Sequence, residues 1–410
     1  MKKFIASFQI VFSIVWVAFI SACAVTVKPD SDYLSQLAAR QDAPKMFDTK
    51  ENMDGSTHFY FEGEAYNGKP TRVFAIYNEP STGSAPYPAV VLVHGGGGTA
   101  FSAWVKKWND AGFAAISIAV EGQTDVRLDK RVKGGAFWEG HEWAGPARVG
   151  VYHDNAKPLQ DQWMYHAVSA TIRANNLLRS FSTIDTDHIG LAGISWGGVI
   201  SSTVVGFDQR FDFAIPIYGC GHLSVMGNHY QTALQNNATY LTYWEPGLRI
   251  ANYQGPTLWL TGLNDQHFSL DAQAQTYEPL SGPTAVSIQE DLMHGHGAGW
   301  NVNEPYRFAQ AVVANKPLPL IFDTVTQTRQ QLQASITTAK PVKTAKAILF
   351  YSTNTGHTGK RQWEQMPIAI TQAGDQLSLM AEWPADATAG FFNVEINHLV
   401  FSSEFLTRAE

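Results

Sequence analysis

Residues 193 to 198 read Gly-Ile-Ser-Trp-Gly-Gly, directly after the apolar run His-Ile-Gly-Leu-Ala at 188–192. Apolar β-formers that end in glycines read as a strand closing in a sharp turn, and the small, apolar Ser-Ser-Thr-Val-Val-Gly at 201–206 reads as a buried helix. A serine in that setting sits on a nucleophile elbow. Its hydroxyl is a weak nucleophile at its own pKa, so covalent chemistry there requires a base, a group to orient that base, and donors for a developing oxyanion.

The elements around this turn alternate. His58–Tyr66 and Thr71–Pro80 alternate or run apolar, Pro88–Gly98 is a buried strand ending in glycines, and Phe113–Val120 is a further strand. Helical spacing separates them at 100–112 and 160–181. The runs 211–219, 256–262 and 284–290 repeat the pattern of strand, loop and helix. Alternation of this kind predicts a largely parallel sheet covered on both faces. Ligands then bind at the carboxyl ends of the strands. Four loops leave those ends with reactive or glycine-rich residues: His94–Gly98, Gly193–Gly197, Gly262–Asp265 and Met293–His296.

From about residue 56 to 316 the chain resembles the α/β-hydrolases, and within them the acetyl-xylan-esterase, dienelactone-hydrolase and prolyl-oligopeptidase-like branch. The resemblance rests on Gly-x-Ser-x-Gly, the upstream His-Gly-Gly-Gly-Gly, and an acid then a histidine downstream. It implies Ser195 as nucleophile, His294 as base and Asp265 as the group that holds the base's tautomer. It also implies an oxyanion hole made by the backbone N–H of Trp196 with one from Gly96 or Gly97. His296 stands close enough to the same strand end to serve as the base; His294 is preferred because the first loop residues after a strand face the nucleophile. Asp265 has a second reading as the cap of the helix that follows, and Asp271 reads as a first-turn helix residue. His-x-His spacing also suits zinc, with His153, His222 or His229 as further ligands, but no third ligand stands at diagnostic spacing. No metal or cofactor is expected. Trp138, Trp143 and Trp244 lie in the segments 121–162 and 219–255 that should overhang the site, where they either pack or meet a sugar ring or acyl group. Glu121 carries no assigned role. Cys220 has no base of its own.

Beyond Asn315–Pro319 the periodicity becomes that of short strands separated by Gly, Asn and Asp turns, predicting an antiparallel β-sandwich over 317–410. At the other end, Lys2 and Lys3, an apolar run from Phe4 to Ile20 and Ile20-Ser21-Ala22-Cys23 resemble a bacterial lipoprotein signal. That resemblance implies a signal peptide over 1–22, lipid on Cys23, a tether over 23–55 and an outer-membrane address. With Cys23 lipidated, Cys220 has no partner for a disulfide. The 410 residues carry a formal net charge of −7 and no basic cluster interleaved with aromatics, which sets aside nucleic-acid binding. The expected function is a serine hydrolase of carboxylic esters, acylated carbohydrate among them. The alternatives are a serine peptidase of the oligopeptidase-like type and a non-catalytic glycan-binding lipoprotein. Oligomeric state is not legible.

Overall fold

The strands Tyr87–Val93 and Ala114–Ile118 read YPAVVLV and AAISI, and every residue from Ala89 to Val93 and from Ala114 to Ile118 is buried. Alternate side chains of a strand point to opposite faces, so such runs arise when both faces are covered. Ala89, Val91 and Val93 enter one core with the helices Trp163–Ser180, Trp196–Val204 and Leu270–Tyr277. Val90 and Leu92 enter the other, against Ser102–Asp110 and Glu304–Val313. Trp104, Trp108 and Trp163 are almost completely buried in these layers. Each side chain of that size contributes roughly 2–3 kcal/mol by leaving water.

The computed structural model describes residues 31–52, 55–128, 137–318, 321–356 and 358–408. Six strands pair in parallel in the order 114–118, 87–93, 184–194, 214–217, 257–262 and 284–289. On the outer edge, Arg72–Asn78, Thr57–Glu62 and Met46–Glu51 follow as antiparallel strands. A parallel sheet with a helix layer on each face and this antiparallel margin is an α/β-hydrolase fold.

Two features depart from the reading of the sequence. The first lies in the stretch read as a tether, where 31–52 is part of the fold. Met46–Glu51 is the edge strand of the sheet, Leu37 of the helix Ser31–Ala39 is buried, and Arg40 Nη1 bonds Glu64 at 2.7 Å. Its alternation is broken by a register shift between Phe47 and Lys50, with Asp48 at φ 51°, so the strand pattern is short and polar. Residues 1–30, and with them Cys23, lie outside the described residues.

The second is at the opposite margin. The C-terminal region is antiparallel throughout, yet one of its two sheets continues the hydrolase sheet. Leu399–Ser402 pairs antiparallel with Thr284–Gln289 through Val286 and Ser402, and Ala389–Ile396, Ala345–Ser352 and Glu364–Ile368 follow in order. Ser402 Oγ accepts the Ile288 N–H at 2.8 Å, and Asn393 Nδ2 donates to the Ile288 carbonyl at 2.8 Å. The other sheet has four strands, 324–327, 331–337, 376–382 and 370–373, and lays Leu332, Ile336, Leu377 and Leu379 into a core shared with Leu349, Phe392 and Val394. Through Val286, paired with Ser402, and Ser287, whose hydroxyl donates to the Val400 carbonyl at 2.6 Å, the two regions form one sheet.

Candidate active site

The strand Ile184–Ile194 ends one residue before Ser195, and the helix Trp196–Val204 begins one residue after it. The chain reverses at Ser195 itself, with φ 57° and ψ −118°. A non-glycine residue there stores about 1–3 kcal/mol, which the surrounding structure must hold. The Ser195 N–H donates to the Ile217 carbonyl at 2.8 Å and its carbonyl accepts the Val199 N–H at 3.1 Å. The flanking glycines answer a steric demand. A Cβ at Gly193 would collide with the Gly197 carbonyl, and one at Gly197 with the carbonyl of Val93.

Asp265 and His294 arrive from the neighbouring strands Thr257–Gly262 and Thr284–Gln289. Asp265 is buried, and its Oδ1 accepts the N–H groups of His267 at 2.7 Å and Phe268 at 2.9 Å. Its Oδ2 lies 2.7 Å from His294 Nδ1, and His294 Nε2 lies 3.0 Å from Ser195 Oγ. A carboxylate facing Nδ1 places the imidazole proton on that nitrogen and leaves Nε2 to accept from the serine. The ring is held by Tyr218 at 4.7 Å, His267 at 4.6 Å and Phe268 stacked at 6.0 Å, while Tyr218 Oη donates to the Gly295 carbonyl at 2.6 Å. The capping role weighed for Asp265 falls to Ser269, whose side chain accepts the Ala272 N–H. Asp271 lies in the first turn of that helix.

His296 is engaged elsewhere. Its Nε2 accepts the Gly95 N–H at 2.9 Å, and burial beside His94 lowers its pKa to about 4, so it is neutral. The next amide but one, Gly97 N–H, donates to Glu121 Oε2 at 3.2 Å. Between them, the Gly96 N–H has no acceptor among the described residues, and a Cβ at Gly96 would meet Arg148 Nη2 at 2.5 Å and the Trp196 indole at 3.1 Å. Of the two glycines expected to offer an oxyanion donor, Gly96 is the one with a free amide. The Trp196 N–H opens its helix and so has no intrahelical acceptor. His94 completes the loop's framework from below, with Nδ1 donating to the Gly95 carbonyl at 2.6 Å and Nε2 accepting the Val120 N–H at 2.9 Å.

Glu121 and Arg148 are the residues that sequence reasoning passed over. Arg148 Nε donates to Glu121 Oε1 at 2.9 Å, its Nη1 donates to the Gly150 carbonyl at 2.6 Å, and its guanidinium lies 5.3 Å from the Trp196 ring. Burial raises the Glu121 pKa, and Arg148 acts against that rise. Glu121 stood just past a predicted strand end, which is a signal; Arg148 comes from a loop with no regular spacing.

Rings of Tyr152, Trp196, Tyr230 and Phe268 follow one another at 5.3–5.5 Å and end against His294. Among the tryptophans read as lid residues, Trp138 donates its indole N–H to the Gly97 carbonyl at 3.0 Å. Trp143 packs instead on Arg72, and Trp244 is fully buried and bonded to Gln162. Burial pushes the Cys220 thiol well above its usual range, which removes it as a nucleophile. Among the described residues no three His, Cys, Asp or Glu side chains converge as a metal site.

Two curated fungal proteins are similar over 238 residues at 24% identity, a probable dipeptidyl-peptidase 5 of Aspergillus flavus and a dipeptidyl-peptidase 5 of Aspergillus oryzae. The matched region is 54% of this chain and 29% of each relative, so the chain spans under a third of their length. Among solved structures, the acetyl xylan esterase from Paenibacillus sp. R4 is 20% identical with a TM-score of 0.49, covering 65% of this chain and 88% of that one. Acetyl xylan esterase 1 from Thermoanaerobacterium sp. JW/SL YS485 is 19% identical with the same TM-score, covering 66% and 89%. Residues 36–245, just over half of the chain, match the family described as acetyl xylan esterase (AXE1). That stretch holds Ser195, the glycine loop, Glu121 and Arg148, and stops before Asp265 and His294. The chain belongs to the acetyl xylan esterase family.

Proposed function

We propose that the protein is a serine esterase that removes short acyl groups, acetyl above all, from carbohydrate. The observation that carries the reading is the unbroken line from Asp265 Oδ2 through His294 to Ser195 Oγ, at 2.7 and 3.0 Å. In this reading Ser195 Oγ attacks the ester carbonyl while His294 Nε2 takes its proton. Asp265 holds the ring and stabilises the imidazolium without itself taking the proton. The Gly96 and Trp196 amides meet the oxyanion, His294 returns its proton to the leaving alcohol, and water releases the acyl group by the same steps in reverse order of roles.

The acyl preference follows from crowding. Ser195 is 9% exposed, and the buried rings of Trp196, Tyr230 and Phe268 run from beside it to His294, a crowding that supports a short acyl chain over a long one. Carbohydrate as the alcohol is an inference from family membership. The deciding experiment is a panel of p-nitrophenyl acetate, butyrate and octanoate, acetylated xylan and a dipeptidyl anilide. Acetate release from xylan, with acetate preferred to octanoate and all turnover lost in Ser195→Ala, is the expected result. Anilide cleavage exceeding ester cleavage would move the protein to the peptidase reading, which the similarity to the dipeptidyl-peptidases supports. Failure of every substrate, and of a fluorophosphonate probe on folded protein, would leave the non-catalytic reading.

The reading extends to a lipid anchor on Cys23, supported by the lipoprotein-like stretch at 1–23. Metabolic labelling with a radioactive fatty acid should mark the wild-type protein and leave Cys23→Ala unlabelled. A wild type that takes up no label would remove the anchor.

A further inference from the structure

Three successive amides of the glycine loop have different fates, and the difference is imposed by side chains. Gly95 N–H is given to His296 and Gly97 N–H to Glu121, while Gly96 N–H between them is given to nothing in the described protein. The loop is a tight turn closed by Gly98 N–H on the Gly95 carbonyl at 3.0 Å, and its Gly95 and Gly97 amides reach different acceptors. Two free amides would compete for one oxyanion in different geometries, and a loop free to rotate would have to reorganise as charge develops.

We propose that His296 and Glu121 are positioning residues that occupy the Gly95 and Gly97 amides, so that the loop presents the Gly96 N–H alone to the oxyanion. The proposal rests on the esterase reading above and assigns to it two residues outside the catalytic three. His296 is suited to the task because it sits two residues beyond His294 on the same turn. One short segment therefore sets both the base and the oxyanion donor, and the two cannot drift independently. A Cβ at Gly98 would stand 2.6 Å from His296 Nε2, and one at Gly95 would stand 3.2 Å from the same atom, so the imidazole packs against the loop where only glycines leave room for it. His94, His294 and Glu121 are the titratable groups that face it, and burial keeps it neutral, as an acceptor must be. Glu121 brings a negative charge toward an anionic transition state, a cost that Arg148 offsets by pairing with its other oxygen.

The test uses the full chain with His296→Leu, which removes the acceptor at similar bulk, and His296→Gln, whose side-chain oxygen reaches about as far as Nε2. With p-nitrophenyl acetate, His296→Leu should lose roughly 30-fold or more in kcat with KM little changed, and His296→Gln should recover much of that loss. A boronic acid that forms a tetrahedral adduct on Ser195 should weaken for the leucine variant by a factor similar to the loss in kcat. A purely structural histidine would move melting temperature without that parallel. Nitrogen-15 NMR of the wild type reads the premise without turnover, as Nδ1–H on His296 with an unprotonated Nε2. An Nε2–H tautomer, or a folded His296→Leu protein with wild-type kcat and boronate affinity, would overturn the proposal. Wild-type protein that turns over no ester and binds no boronate would sink the esterase reading instead, while the NMR signature would still report the strut.

Discussion

At Ser195 the geometry of the backbone and the chemistry of the side chain can be separated by substitution. Ser195→Ala removes the hydroxyl proposed as nucleophile and keeps a Cβ in the same strained conformation, so turnover should vanish while the melting temperature stays close to wild type. Ser195→Gly removes the nucleophile and the strain together. It should be equally inactive yet more stable by about 1 kcal/mol, read by thermal or denaturant unfolding. If the glycine variant is no more stable than the alanine variant, the strain is not stored at this residue. His94 supports a prediction of a different kind. It is 1% exposed, and burial lowers its pKa from 6.5 to about 4. Below pH 6.5 the unfolded chain therefore binds a proton that the folded chain refuses, so stability is full near neutrality and falls as the pH drops toward 4. The loss from His94 alone is on the order of 3 kcal/mol. Denaturant titrations at pH 7, 5.5 and 4.5 would measure it, and a flat profile would contradict the buried neutral ring. The raised pKa of Glu121 works in the opposite sense on this profile.

At the scale of elements, the elbow is a packing problem solved by absent side chains. Gly197→Ala would drive a methyl group into the Val93 carbonyl of the adjacent strand, with no flexible atom to yield. That variant should lose several kcal/mol, about the cost of an overpacked core, and much of its soluble yield. Gly295, where nothing lies within 4 Å, should accept alanine with little change in melting temperature. The sequence made this region legible because its signals are local. The glycines, the apolar strand and the small-residue helix lie within some twenty positions, and the four strand-end loops are each marked by their own composition. What was not legible depends on pairing across the fold. No spacing rule ties Arg148 to Glu121, or His296 to an amide 201 positions away. The edge strand Met46–Glu51 was hidden for a related reason, since its bulge and its polar, half-solvated face erase the alternation that identifies strands.

At the scale of the molecule, the C-terminal strands belong to the architecture that mounts His294, the proposed base. Thr284–Gln289, the strand leading to His294, would be an edge strand without Leu399–Ser402, and Phe350, Phe391 and Phe405 are buried in the same core as the nucleophile's helix. Removing residues 317–410 should therefore give protein that aggregates or melts far below the full chain, checked by size-exclusion chromatography and thermal unfolding. A soluble, active remnant would show that the sheet edge tolerates exposure. The expectation of an appended sandwich missed this continuity because the run of short strands is the same whether their sheet stands alone or joins another. Of the two tryptophans open to reading as a sugar platform, Trp363 packs on Phe391 and Phe405 in that core, while Trp383 is buried in the other core with Leu332 and Phe392. The shared sheet also sets an order in time. A ribosome delivers Ser195 and the glycine loop first, then Asp265 and His294, and only about a hundred residues later the strand that covers the histidine's own strand. A nascent chain that already carries all three proposed catalytic residues is still an unfinished sheet, so on the esterase reading activity should switch on late in synthesis and in a single step.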